Sequence, residues 1–340
     1  MSALAVWQID KGATVPDAAT YSPPAPTSSR TVDVSLAAGM SPSEIATRLG
    51  ASGAIDSATQ FRILVAILGY QGSLQAGDYE FRPGTPALDA VYRVRNGVIS
   101  ERSLTVVEGR RLEEVADTVA AQGISSNDFI ATARVADFRQ ETGLNFLADL
   151  QSDGNLEGYL FPATYPVRNN DKARDLILRM LQTFGERLPA DAAQKASAAG
   201  LSLNDVVTLA SVIEREAQVA SERPIMAQVF LSRLRQGIPL EADHTVQYAI
   251  ASDAESVQTY GYWKPDLTRE DLGIDSPYNT YLNRGLPPGP ICNPGLDSIK
   301  AVLEPADTNF LYFVAKPDGS HAFASTLEEH QRNIEKYQGQ

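Results

Sequence analysis

Thr31-Val32-Asp33-Val34-Ser35-Leu36 alternates polar and apolar residues, the two-residue period of a half-buried strand. A helix start follows. Ser41 is placed to cap the free amides, Pro42 fits the first helical position, and Glu44 completes a capping box. Ile45, Ala46 and Leu49 then form its buried side. Residues 57–68 are strongly apolar and predict a central helix. Tyr79-Glu80-Phe81 resembles a short strand, and Thr85-Pro86 opens a helix that runs to about Arg95 and ends at Asn96-Gly97. Part of this pattern recurs. Gly39, Glu44, Ile45, Ala46, Leu49 and Gly53 return as Gly109, Glu114, Val115, Ala116, Val119 and Gly123, each shifted by 70 residues. Each copy reads strand, glycine turn, helix. Two such units are expected to pair over one core, because neither could bury its apolar face alone.

From about residue 136 the character changes. Aromatics and prolines gather in Leu156-Glu157-Gly158-Tyr159-Leu160-Phe161-Pro162. Helices are predicted over 172–188, 203–218 and 224–236, the last closed by Gly237. Residues 276–296 are rich in Pro, Gly, Asn and Tyr and predict irregular structure, while 310–314 form a continuous β-type run that reads as a buried strand. The fold class is therefore α+β: a βα module over residues 31–135, then a mixed α/β domain over 136–340. Before them, residues 10–30 carry Pro16, Pro23, Pro24 and Pro26 and form an extended tether. Residues 3–9 are apolar with Trp7 among them, too short for the roughly 20 residues of a membrane span. They read either as a tail or as the outer end of a membrane anchor.

Charge narrows the function. A net charge of −13 without a basic patch argues against nucleic acid and against anionic lipid headgroups. Neutral or weakly charged polymers such as glycans remain. The single Cys292 provides neither an internal disulfide nor a cysteine zinc site, and His244, His321 and His330 lack metal-ligand spacing. No metal or cofactor is expected.

The sharpest chemical candidate is Glu214. At about 100° per residue, Val206, Leu209, Ala210, Ile213 and Ala217 share one apolar arc, and Glu214 falls on its flank between Ala210 and Val207, with Arg215 pointing away. A carboxyl held against apolar groups is poorly solvated and keeps its proton, as a general acid requires. Glu216 occupies the other flank, so geometry alone does not choose between them. Glu157, beside Tyr159 in the aromatic loop, suits sugar binding. The segment Asn279-Thr280-Tyr281 and the cluster around Asp243 and Gln247 are dense in neutral hydrogen-bonding groups, as the wall of a polyol cleft would be. For each of these a structural loop is the commoner source of such a pattern.

Resemblance adds a second line. The aromatic loop, Ala210-Ser211-Val212-Ile213-Glu214-Arg215-Glu216, Ser221-Glu222-Arg223, Asn279-Thr280-Tyr281, Gly285-Leu286-Pro287-Pro288-Gly289-Pro290, Asn293-Pro294-Gly295 and His321-Ala322-Phe323 occur in this order. The series resembles the endolytic murein transglycosylase (YceG-like) family from residue 31 onward. The resemblance implies a LysM-like N-terminal module and a catalytic domain. It also implies a single transmembrane helix that anchors the protein in the cell membrane, with the catalytic domain extracytoplasmic. Its catalytic glutamate falls on Glu214, with Glu157, Tyr159, Asp243, Gln247, Asn279, Thr280 and Tyr281 positioning a peptidoglycan strand. Peptidoglycan synthases and division proteins are the further partner classes it implies. Where the family pattern reads Leu-Gln-x-Asp-Pro-Thr-Val, this chain has Glu241 and His244, so its local substrate contacts differ. A hydrolase on the same glycan and a non-catalytic wall-binding protein are the competing readings.

Overall fold

Residues 31–97, 102–148, 150–167 and 171–338 are described by the structure, a computed structural model. They fall into two units with separate cores, one ending at residue 102, the other formed by residues 103–167 and 171 onward. The apolar stretch 3–9 and the tether 10–30 lie outside the described residues. Among the described residues, no single helix is long and apolar enough to cross a membrane.

The first unit runs strand, helix, helix, strand, helix. Strand β1 (Val32–Leu36) pairs antiparallel with β2 (Gly77–Phe81), Val34 lying opposite Tyr79. Helix α1 (Pro42–Ala51) starts as its sequence predicts: Ser41 Oγ accepts from the Glu44 amide, and Glu44 accepts from the Ser41 amide at 2.7 Å. It buries Ile45, Ala46 and Leu49. Helix α2 (Ala58–Ile67) departs from expectation. Only Phe61 and Val65 are buried, and Ile63 and Ile67 are exposed, because α1 and helix α3 (Ala87–Asn96) pack against it while leaving that side open. Gly97 closes α3 in the left-handed region.

The second unit opens with β3 (Arg102–Thr105), α4 (Leu112–Ala120), α5 (Ser126–Thr132) and α6 (Val135–Phe138). Strand β4 (Thr164–Val167), which pairs with β3, leads into α7 (Ala173–Arg187) and α8 (Ala192–Ala198). Then come α9 (Leu203–Glu216), α10 (Arg223–Gln236), α11 (Asp243–Ile250), α12 (Ala254–Tyr260) and α13 (Leu296–Leu303). An antiparallel hairpin, β5 (Tyr312–Ala315) and β6 (His321–Ala324), and helix α14 (Leu327–Tyr337) complete it. The run at 310–314 is thus a strand as expected, but a half-buried one, with only Val314 buried.

The 70-residue repeat is present in local form. Each copy has a strand, a left-handed glycine (Gly39 or Gly109), a helix and a second left-handed glycine (Gly53 or Gly123). The two copies do not share a core, however. Ile45 and Leu49 belong to the first unit's core, whereas Val115 and Val119 pack with Leu156, Leu176 and Ile213 in the second. Each copy has acquired helices of its own, α2 and α3 in one case and α5 and α7 in the other. The division at 102/103 accordingly differs from the expected boundary near residue 135, which falls inside the second unit.

Helix α9 is the axis of the second unit, packed by α8, α10, α11 and α13. Val206 through Ile213 are all buried, so α9 is enclosed on every side and is not the one-sided amphipathic helix its arc suggested. Its last turn, Glu214-Arg215-Glu216, is where it reaches polar surroundings.

Candidate active site

Glu214 stands at the C-terminal turn of α9, where the helix's own partial charge is negative and a carboxylate needs outside help. That help comes from the start of α13. The Gly295 amide, at its N-cap, donates to Glu214 Oε2 at 3.0 Å, and the Ser298 hydroxyl donates to the same oxygen at 2.7 Å. Arg223, the first residue of α10, donates to Oε1 at 3.4 Å and steadies Ser298 through its Nε at 3.1 Å. Only 6% of the Glu214 side chain is exposed. Arg215 does not point away, as the helix layout suggested. It lies beside Gly109 and over the Trp263 ring, 3.9 Å from its centroid, because Trp263 and the loop after β3 close over that side of the helix end.

A buried polar hub fixes these parts relative to one another. Asn293 receives the Leu160 amide on Oδ1, donates through Nδ2 to the Arg110 carbonyl and to Glu157, and exchanges backbone bonds with Gly109 and Arg110. Glu157, 3% exposed, accepts the Leu112 amide at the start of α4 and the Tyr248 hydroxyl. Burial pushes its carboxyl up to about 8, against the pull of the Leu112 amide and of Arg111. Ser211 ties α9 to the same hub: its Oγ accepts the Ile291 amide at 2.9 Å, and its carbonyl accepts from Cys292. Burial pushes the Cys292 thiol well up, so it stays an unreactive thiol. At Gly158, φ is +88°, and a side chain would collide with Pro290. The aromatic loop can hold Glu157 here only because that position is glycine.

The predicted site residues therefore separate. Tyr159 is core, its ring against Phe146 and Phe184 and its hydroxyl on Asn204. Asn279 and Thr280 are buried, Asn279 bonding the Leu272 and Ile274 carbonyls and Thr280 accepting the Ala242 amide. Gln247 donates to the Lys264 carbonyl and leaves its Oε1 buried without a partner. Together with Glu157, these groups shape the walls from behind. Asp243 and Tyr281 do reach a cleft, joined by a 2.5 Å hydrogen bond from the Tyr281 hydroxyl. This cleft encloses about 310 Å³ between Glu216, Glu241, Arg233 and His321. Glu216 lines this cleft and Glu214 does not.

The two departures from the family pattern both find partners. Glu241 accepts from Arg233 at 3.1 Å, and His244 meets Glu216 at 3.1 Å. Sequence reasoning gave no role to Arg223, Ser298 or Gly295, although Arg223 and Gly295 stand inside the motifs that carry the family resemblance.

Comparison with known proteins places the chain in a family. The profile of the YceG-like family matches residues 34–336. A Bacillus subtilis protein named endolytic murein transglycosylase is 34% identical over 91% of this chain and 86% of its own length. A Streptococcus pneumoniae protein of the same name is 29% identical, and the match covers 91% of this chain but 59% of that relative. Among solved structures, a YceG-like protein of Listeria monocytogenes superposes with a TM-score of 0.59 at 32% identity, over 90% of this chain and 99% of that one.

Proposed function

The chain belongs to the YceG-like family and is a peptidoglycan lytic transglycosylase, and from that premise we propose that it cuts glycan strands internally with Glu214 as acid and base. The observation that carries this reading is a single carboxyl gripped by a backbone amide, a hydroxyl and a guanidinium at the end of an enclosed helix. Glu214 gives its proton to the oxygen between N-acetylmuramic acid and N-acetylglucosamine as the C1–O bond breaks. The muramyl C6 hydroxyl then closes onto C1, and its proton returns to the carboxylate. The product is a 1,6-anhydromuramyl end, no water is consumed, and growth of a nascent strand ends there. When Glu214 is the base, its three donors stabilise the negative charge.

Asp243 and Tyr281 are the predicted contacts best exposed to touch the strand, while Glu157, Tyr159, Gln247, Asn279 and Thr280 act by holding the walls. The first unit, whose strand–helix–helix–strand order suits a LysM-like module, would hold glycan. An N-terminal anchor would keep this cell-wall enzyme at the membrane, which fractionation of the product of the full reading frame tests. Mass spectrometry of muropeptides after incubation with purified glycan strands tests the reaction. Anhydro ends are expected. Reducing ends would make the enzyme a hydrolase, and retention on sacculi with no new ends would make it a binding protein.

A further inference from the structure

Glu214 is almost closed off from solvent, yet the proposed reaction requires its proton to reach a polymer. Its charged neighbour across Gly295 is Glu108, in the loop between β3 and α4. One glycine makes room for this arrangement. A side chain at Gly295 would collide with the Glu108 carboxyl, while Gly109, the next residue after Glu108, packs at ordinary contact distance against the Arg215 side chain and the Glu214 stem. The same Gly295 thus carries Glu108 over its Cα and Glu214 on its amide.

The two carboxyls are unequal. Glu214 accepts three hydrogen bonds, whereas Glu108 is exposed and accepts none from any described residue. The charged groups around Glu108 are Glu214 from α9, Arg223 from α10 and Asp297 from α13. Although Glu108 as a residue is exposed, its carboxyl end lies against Gly295, and this local loss of solvent, then the charges of Glu214 and Asp297, push the carboxyl up, while Arg223 pulls the other way. Adjacent carboxyls whose surroundings differ in this sense divide the roles of proton holder and charge holder.

We propose that Glu108 is a second catalytic carboxyl, the outer member of a charge-coupled pair that together with Glu214 holds one proton and exchanges it with the bound strand. This rests on the transglycosylase reading above. The resting pair holds a single proton. That proton goes to the departing glycosidic oxygen as the C1–O bond breaks, and the proton of the C6 hydroxyl comes back to the pair as C6–O bonds to C1. The cycle consumes no co-reactant and leaves the pair as it began.

Glu108→Gln tests this, with kcat, KM and a pH–rate profile measured on purified glycan strands by muropeptide analysis. The wild type should show two limbs, losing rate when the pair holds two protons and again when it holds none. Glu108→Gln should lower kcat by about 10²-fold, within the range of acid–base catalysis, with little change in KM and with the alkaline limb moved to lower pH. Glu108→Asp should recover part of the rate and the original two-limbed profile. Gly295→Ala, which displaces Glu108 while leaving both carboxyls in the chain, should reproduce the loss and serves if the first variant folds poorly. An unchanged pH profile and kcat in Glu108→Gln, with Glu214→Gln inactive, overturns the pair and leaves the transglycosylase reading standing. A wild type that yields no anhydro ends overturns that reading instead.

Discussion

Glu157→Gln probes the carboxyl at the hub with almost no change of shape. In the unfolded chain this carboxyl titrates near its ordinary value of 4.5, and in the folded protein burial holds it at about 8. Between those values the folded state keeps a proton that the unfolded state has lost. Stability therefore falls as pH rises through this window and levels off above it. From pH 5 to pH 7 the loss is about 1.4 kcal/mol per unit, or about 3 kcal/mol in all. For a unit of this size that is roughly 6–12 °C in Tm. Gln at 157 cannot ionise, and its carbonyl still accepts the Leu112 amide. Its NH₂ would face either Asn293 Nδ2, a donor–donor mismatch costing about 1 kcal/mol, or the Tyr248 hydroxyl, which can turn to accept it at the loss of its own donated bond. Calorimetry at constant ionic strength should then show the variant slightly less stable at pH 5 and more stable at pH 7. A Tm difference that stays flat across the window would refute the argument. A wild type that gains on the variant with rising pH would mean that Leu112, Asn293, Tyr248 and Arg111 together hold the carboxylate and outweigh burial.

Glu214→Gln should lower turnover by about 10²–10⁴-fold with the fold intact, as loss of an acid–base group does. Glu216→Gln, which loosens His244, should cost under about tenfold by the same measure; the reverse order would move the centre to the Asp243–Tyr281 cleft. Arg223→Met strips the cation from Glu214 and should reduce kcat by roughly 10²-fold with KM little changed. Tyr159→Phe should lose the bond to Asn204, about 1 kcal/mol of stability, and leave KM unaltered; a raised KM would restore Tyr159 as a sugar contact.

Helix boundaries set by local chemistry were legible in the sequence. Ser41, Pro42 and Glu44 fix the start of α1, and Gly97 and Gly237 end α3 and α10, because caps and left-handed glycines act within a few residues. Burial was less legible. The apolar arc on α9 could not reveal that Val207, Thr208, Ser211 and Val212 are also covered, since α8, α10, α11 and α13 close around them from distant parts of the chain. The apolar α2 misled in the other direction, because composition does not say how many neighbours a small unit can provide. The repeat was read correctly as local form and wrongly as a shared core, for partners of a βα unit are chosen by the helices that follow it.

The site shows the same limit more sharply. The helix pattern marks Glu214 and Glu216 as acids on the flanks of an apolar arc, and only the family resemblance chooses Glu214; Glu157 is marked by the aromatics around it. Yet the same kind of pattern also marks residues that the fold packs into its interior, such as Glu157, Tyr159 and Asn279. What the helix does predict is a need. A carboxylate in the last turn of a buried helix faces the negative end of the helix dipole, and nothing within its own helix can offset that. It therefore requires amides from another helix's N-terminus and a cation from outside, which Gly295 and Arg223 provide. Only backbone without a side chain can come this close and still leave space above it. A glycine that opens a second helix, next to a lone arginine, is then the feature to seek around any such acid, and Glu108 occupies the space that this glycine leaves.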